Sequence, residues 1–67
     1  MYPSADRRAE AVRRLPAAYS LALRLREAGV SATLIAECLQ IDPAAVEPLL
    51  VVAEAKVEAI LARPVLE

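Results

Sequence analysis

The sequence predicts a small all-α domain of four helices, and three observations predict it. The apolar residues are Ala, Leu, Val and Ile, with Tyr2 and Tyr19 the sole aromatics and neither Phe nor Trp present, which is the composition of a helical bundle. Apolar positions recur at steps of three and four, and no stretch alternates with the period of two that a half-buried strand needs. Pro16, Gly29, Pro43 and Pro64 stand at the ends of the periodic runs, where such residues punctuate helices. The predicted helices are about 5–14, 16–28, 32–39 and 43–62. With no internal repeat or low-complexity tract, residues 1–67 read as one domain, and 63–67 as a loose tail.

In the first helix Ser4 is the expected N-cap and Asp6 sits in the first turn, favoured by the helix dipole. Its apolar face is thin: Ala9, Val12 and Leu15 are expected inward, while Arg7, Arg8, Arg13 and Arg14 keep the helix at the surface. Leu15-Pro16 ends it, because proline disfavours helical backbone in the residue before it and is tolerated in the next first turn.

In the second helix Ala18, Leu21, Ala22, Leu25 and Ala28 form the expected buried stripe. Ser20, Arg24 and Glu27 form the wet face, and Tyr19 and Leu23 flank the stripe, where they receive the first helix. Gly29, the only glycine, stands where a helix C-terminus favours a left-handed residue.

Ser31 is expected to cap the third helix, with Ile35, Ala36 and Leu39 inward. A turn follows at Gln40-Ile41, after which Asp42 caps and Pro43 opens the last helix. Val46, Leu50, Ala53, Val57 and Ile60 or Leu61 make its core stripe, and Pro48 is expected to bend the axis or split off a short first piece. From Val30 to Leu50 the chain therefore reads as a helix-turn-helix.

A chain of 67 residues buries only about 60% of its unfolded surface, and small aliphatic side chains add little burial each. Self-association is expected to supply the rest. Residues 1–28 carry six arginines against Asp6, Glu10 and Glu27, net +3, while 29–67 carry Lys56 and Arg63 against six acids, net −4. That asymmetry suits a basic face for nucleic acid or charge complementarity between copies, although a solvated helix surface explains it most cheaply.

No apolar run approaches the roughly 20 residues of a membrane span, and no targeting segment is visible at the N-terminus. Cys38 is the single cysteine and histidine is absent, so no intramolecular disulfide and no cofactor or metal is expected. A cytoplasmic setting fits, and Met1 suggests a freestanding chain. Cys38 has no neighbouring Lys or Arg and reads as a small apolar filler, not a nucleophile. Without a phosphate loop or a carboxylate pair in an apolar setting, neither an enzyme nor a small-molecule substrate is expected.

The run Leu15-Pro16, Gly29, Ser31, Ile35-Ala36, Leu39, Ile41, Val46 and Leu50 resembles region 4 of bacterial sigma-70-type factors and the related LuxR-type output domains, over roughly residues 15–62. The resemblance implies a support helix built on the Ile-Ala pair and a recognition helix with Val46 and Leu50 on its core side. Two features depart from that pattern. Gln40 stands where the family commonly has glycine, so glutamine is expected to accept a left-handed or strained backbone. The residues the resemblance places in a major groove are Asp42, Pro43, Ala44, Ala45, Glu47, Pro48 and Val51. None donates a side-chain hydrogen bond, whereas base readout uses Arg, Lys, Asn and Gln. Glu37, on the support helix, is acidic as well.

After the core stripes are assigned, an apolar surplus remains at Leu49, Val51, Val52, Ala55 and Ala59 on the last helix, and at Leu34 and Cys38 on the third. Leu34, Cys38, Leu49, Val52, Ala55 and Ala59 are the expected protein interface. The expected function is a transcription-associated protein of the sigma region 4 type acting through protein contact and self-association, with a homodimer or a protein of the transcription machinery as partner. The alternative is a dimeric DNA-binding regulator that contacts phosphates through Arg7, Arg8, Arg13, Arg14, Arg24 and Arg26.

Overall fold

The computed structural model describes residues 3–63, with side chains from Arg7 onward. Four helices follow one another, α1 (Pro3–Arg14), α2 (Ala17–Glu27), α3 (Ala32–Leu39) and α4 (Val46–Ala62), with a 3-10 turn at Pro43–Ala45 ahead of α4. The all-α class is as the sequence predicts, and there is no strand among the described residues. Residues 64–67 of the expected tail, and the expected side-chain roles of Ser4 and Asp6, lie outside what is described.

Helix α1 starts at Pro3, two residues earlier than expected, so Ser4 lies inside the helix instead of at its cap. Its inner row also differs. Ala11, Val12 and Leu15 are buried, Arg8 is half-buried and Ala9 is exposed. The row Arg8-Ala11-Val12-Leu15 follows the steps of three, four and seven that define one helical face. Arg8 joins the inner side because carboxylates of two other helices meet it there.

Helix α2 begins at Ala17, after Pro16 in extended backbone (φ −52°, ψ 151°). Its buried residues are Ser20, Ala22 and Leu23, with Tyr19 and Leu25 half-buried. The expected stripe is thereby corrected: Leu21 is 39% exposed, and Ala18 and Ala28 are exposed. This helix packs against α1, α3 and α4 at once, which draws inward the side centred on Ala22 and Leu23. Ser20 follows because its side chain is small enough to enclose.

Two turns share one closure. At the end of α2, Val30 N–H donates to the Leu25 carbonyl (3.0 Å) and Gly29 N–H to that of Arg26 (2.9 Å). At the end of α3, Ile41 N–H donates to the Ala36 carbonyl (3.0 Å) and Gln40 N–H to that of Glu37 (3.3 Å). Both are the paired 6→1 and 5→2 bonds of a Schellman cap, which needs a left-handed residue. Gly29 supplies it at φ 87° and Gln40 at φ 59°.

The caps at the next two starts are as expected. Ser31 Oγ accepts from Leu34 N–H at 3.3 Å, and Asp42 Oδ1 accepts from Ala44 N–H at 2.8 Å. The effect of Pro48 appears as a split: the 3-10 turn forms the short first piece, and α4 begins at Val46. Pro48 then falls in the first α-helical turn, where N–H groups lack intrahelical partners anyway.

The core lies where α2 and α4 meet, closed by α1 on one side and α3 on another. Leu23, Ile35, Val46 and Val57 are its largest fully enclosed side chains, with Ala22, Ala36, Leu50 and Ala53 between them. Ile60 and Leu61 both pack half-buried at its edge.

Candidate functional site

Core burial at Val46, Leu50, Ala53 and Val57 fixes which side of α4 faces away. Pro48, Val51, Val52, Ala55, Ala59 and Ala62 lie on that outer side, and all six are exposed. Val51 is 66% and Val52 43% exposed. On α3, Leu34 is 51% exposed and Cys38, one turn on, is exposed too. Cys38 is thus on the outer side of α3, where the apolar surplus places it. Among the expected interface residues, Val52, Ala55 and Ala59 share one helical face. Leu49 differs: it is half-buried and packs against the core.

A groove of about 440 Å³ runs between α2 and α4, with Leu23 and Leu50 at its floor, Val51 and Ala55 on one lip, and Arg26, Glu47, Glu54 and Glu58 around it. It continues the outer face of α4 through Val51 and Ala55. Periodicity alone does not reveal this groove, because it depends on how α2 is turned about its axis. The sequence signal that bears on it is Arg26 and Glu47, far apart in the chain and ion-paired across its end.

The arginines form no open basic field. Arg8 places both terminal nitrogens on Glu54 (3.2 and 3.1 Å) and one on Glu27 (2.5 Å). Hydrogen bonding to these two carboxylates, Glu54 first and Glu27 second, raises the guanidinium pKa further above its ordinary value. Arg13 bonds Glu10 at 2.8 Å, Arg14 approaches the same carboxylate at 3.6 Å, and Arg26 pairs with Glu47. Arg7 donates to the Leu61 carbonyl at 2.9 Å, near the C-terminus of α4. Among the described residues Arg24 alone of the six has neither an ion pair nor a hydrogen bond through its side chain. An arginine already held by a carboxylate releases fewer counterions on meeting phosphate, so phosphate affinity is reduced.

The positions that would face a duplex offer acceptors and methyl groups only. Asp42, Pro43, Ala44, Ala45, Glu47, Pro48 and Val51 are all exposed, Asp42 is committed to its cap and Glu47 to Arg26. Two acids four residues apart on α4 also differ: Glu54 is half-buried under Arg8, while Glu58 is exposed.

Among the described residues no three His, Cys, Asp or Glu side chains gather to hold a metal ion, and no helix is long and apolar enough to cross a membrane. No protein-family model, curated protein or solved structure matches the chain.

Proposed function

We propose that the chain is a helix-turn-helix scaffold of the sigma region 4 type that serves transcription through protein contact and self-association instead of reading a duplex. The observation that carries this reading is the outer face of α4, where Val51, Val52, Ala55 and Ala59 stand exposed as an apolar surface, while Asp42, Glu47 and Val51, where the resemblance would place a base reader, carry no side-chain hydrogen-bond donor. The sigma-type association rests on the pattern from Leu15-Pro16 through Leu50. A bacterial, cytoplasmic setting and a partner in the transcription machinery belong to the same reading. Acidic side chains without an ion pair among the described residues, Glu37, Asp42 and Glu58, add repulsion toward phosphate.

The test is titration of labelled duplex DNA with the purified chain at about 50 mM salt, where phosphate contacts are strongest. The expected outcome is no saturable binding, alongside a dimer in sedimentation at high micromolar concentration. Steep salt-dependent binding would instead favour the alternative, a DNA-binding regulator using the arginines of α1 and α2.

A further inference from the structure

We infer that α4 packs in parallel against α4 of a second copy, with Glu58 of each chain facing Arg63 of the other. The inference rests on the outer face of α4 being an interaction surface, and it adds the occupant, the direction and the register.

The outer residues Pro48, Val52, Ala55, Ala59 and Ala62 are separated by steps of four, three, four and three. That is the alternation of a heptad seam, whose mean period of 3.5 keeps one stripe facing a partner helix. Val52 and Ala59 then take the a positions, and Pro48, Ala55 and Ala62 the d positions. A β-branched residue at a suits a two-stranded parallel pair, and the alanines permit close approach of the axes. The core face of α4 points directly away from this seam, so α2 and the rest of the core lie behind it.

Charge selects the occupant and its direction. One flank of the seam carries Val51 and Glu58, the g positions, and the other carries Lys56 and Arg63, the e positions. Arg63 follows the last helical residue, but its φ of −63° keeps its side chain in the helical direction. Glu58 and Arg63 are both exposed, and among the described residues neither has an ion-pair partner. In a parallel pair each g residue meets the e residue five positions on in the partner. Glu58 then meets the partner's Arg63, and the methyl groups of Val51 meet the aliphatic stem of the partner's Lys56. An antiparallel pair sets e against e, so Lys56 and Arg63 meet their own kind. Only the parallel arrangement of two copies joins opposite charges on both sides of the seam.

The test uses the full chain with Cys38→Ser and one new cysteine, Ala55→Cys or Ala62→Cys, oxidised at a concentration where sedimentation gives a dimer. In the parallel pair each d residue faces its own counterpart, so both variants should cross-link to themselves. Cross-linking of one variant alone, or of neither, in a chain that still sediments as a dimer overturns the parallel register and leaves self-association standing. A monomer at every concentration overturns both. Glu58→Arg and Arg63→Glu, each alone, should weaken the dimer roughly fivefold, since each removes two surface ion pairs and adds repulsion. The double exchange should restore it to within about twofold. An exchange no tighter than the single variants would overturn the pairing, with helicity by circular dichroism confirming that each variant is folded.

Discussion

Arg8 of α1 grips Glu54 of α4 with both terminal nitrogens, at 3.2 and 3.1 Å, and the same guanidinium reaches Glu27 at the end of α2. One side chain thus ties three helices together. The two-pronged geometry suits the planar guanidinium and not a lysine ammonium. The three side chains remain about a third to a half exposed (36%, 49% and 46%), so solvent screens the gain. Arg8→Ala is expected to cost about 1 kcal/mol, or roughly 4–8 °C in thermal unfolding for a domain of this size. Arg8→Lys should recover less than half of the loss. In about 1 M salt, where the screening length is near 3 Å, the difference from the unmodified chain should shrink. A loss unchanged by salt would point to packing of the arginine stem.

Gln40 and Gly29 close two helices with the same pair of hydrogen bonds, yet only one is the residue that left-handed backbone favours. Glutamine at φ 59° carries a backbone cost that glycine avoids. Gln40→Gly should therefore stabilise the fold by about 0.5 kcal/mol, the relief being partly offset by the greater freedom of glycine in the unfolded chain. The mirror experiment is Gly29→Ala. No atom lies within 4 Å of the added methyl, so its cost of about 1 kcal/mol should be purely backbone. Chemical denaturation of both variants would show the two signs; destabilisation by Gln40→Gly would contradict the account.

Legibility of this fold in the sequence followed how many neighbours each element has. On α3 and α4 the inward residues Ile35, Ala36, Val46, Leu50, Ala53 and Val57 are those the periodicity predicts, because the capping residues Ser31, Asp42 and Pro43 fix where each helix starts and the larger aliphatic residues recur at helical steps from there. On α2 nearly every residue from Ala17 to Leu25 is apolar, so several faces fit the pattern equally well, and three packing helices decided among them. On α1 the inner row passes through Arg8, a residue that composition assigns to water until its partners Glu27 and Glu54 are brought near. The exposed face of α4 was legible as a surplus of apolar residues. The groove beside it was not, since it depends on the rotation of α2.

That rotation is testable with two leucines two positions apart. Leu23 is 1% exposed and Leu21 39%. Leu23→Ala should cost about 2–4 kcal/mol through lost burial and a residual cavity. At roughly 0.05–0.15 kcal/mol per residue a chain of 67 residues has about 3–10 kcal/mol in all, so the loss is a large share and much of the chain should unfold near 37 °C. Leu21→Ala, on the open side, should stay within about 0.5 kcal/mol. Equal losses at the two sites would restore the stripe centred on Leu21.

Glu10 sets the sign of one acid response. Its carboxylate accepts from Arg13 and lies beside Arg14, and the bond to Arg13, followed by that residue's charge, holds its pKa below the ordinary carboxylate value. The folded value is therefore lower than the unfolded one, near 4.3. Its stabilising effect is present above that unfolded value and is lost as pH falls through the folded one. All three side chains are well exposed, which makes the effect small and local to α1. An NMR titration of the Glu10 side chain should give a midpoint below that of a free glutamate, and Arg13→Ala should move it up more than Arg14→Ala, because Arg13 alone makes the short bond. A Glu10 midpoint insensitive to Arg13→Ala would remove the pair from any account of how α1 responds to acid.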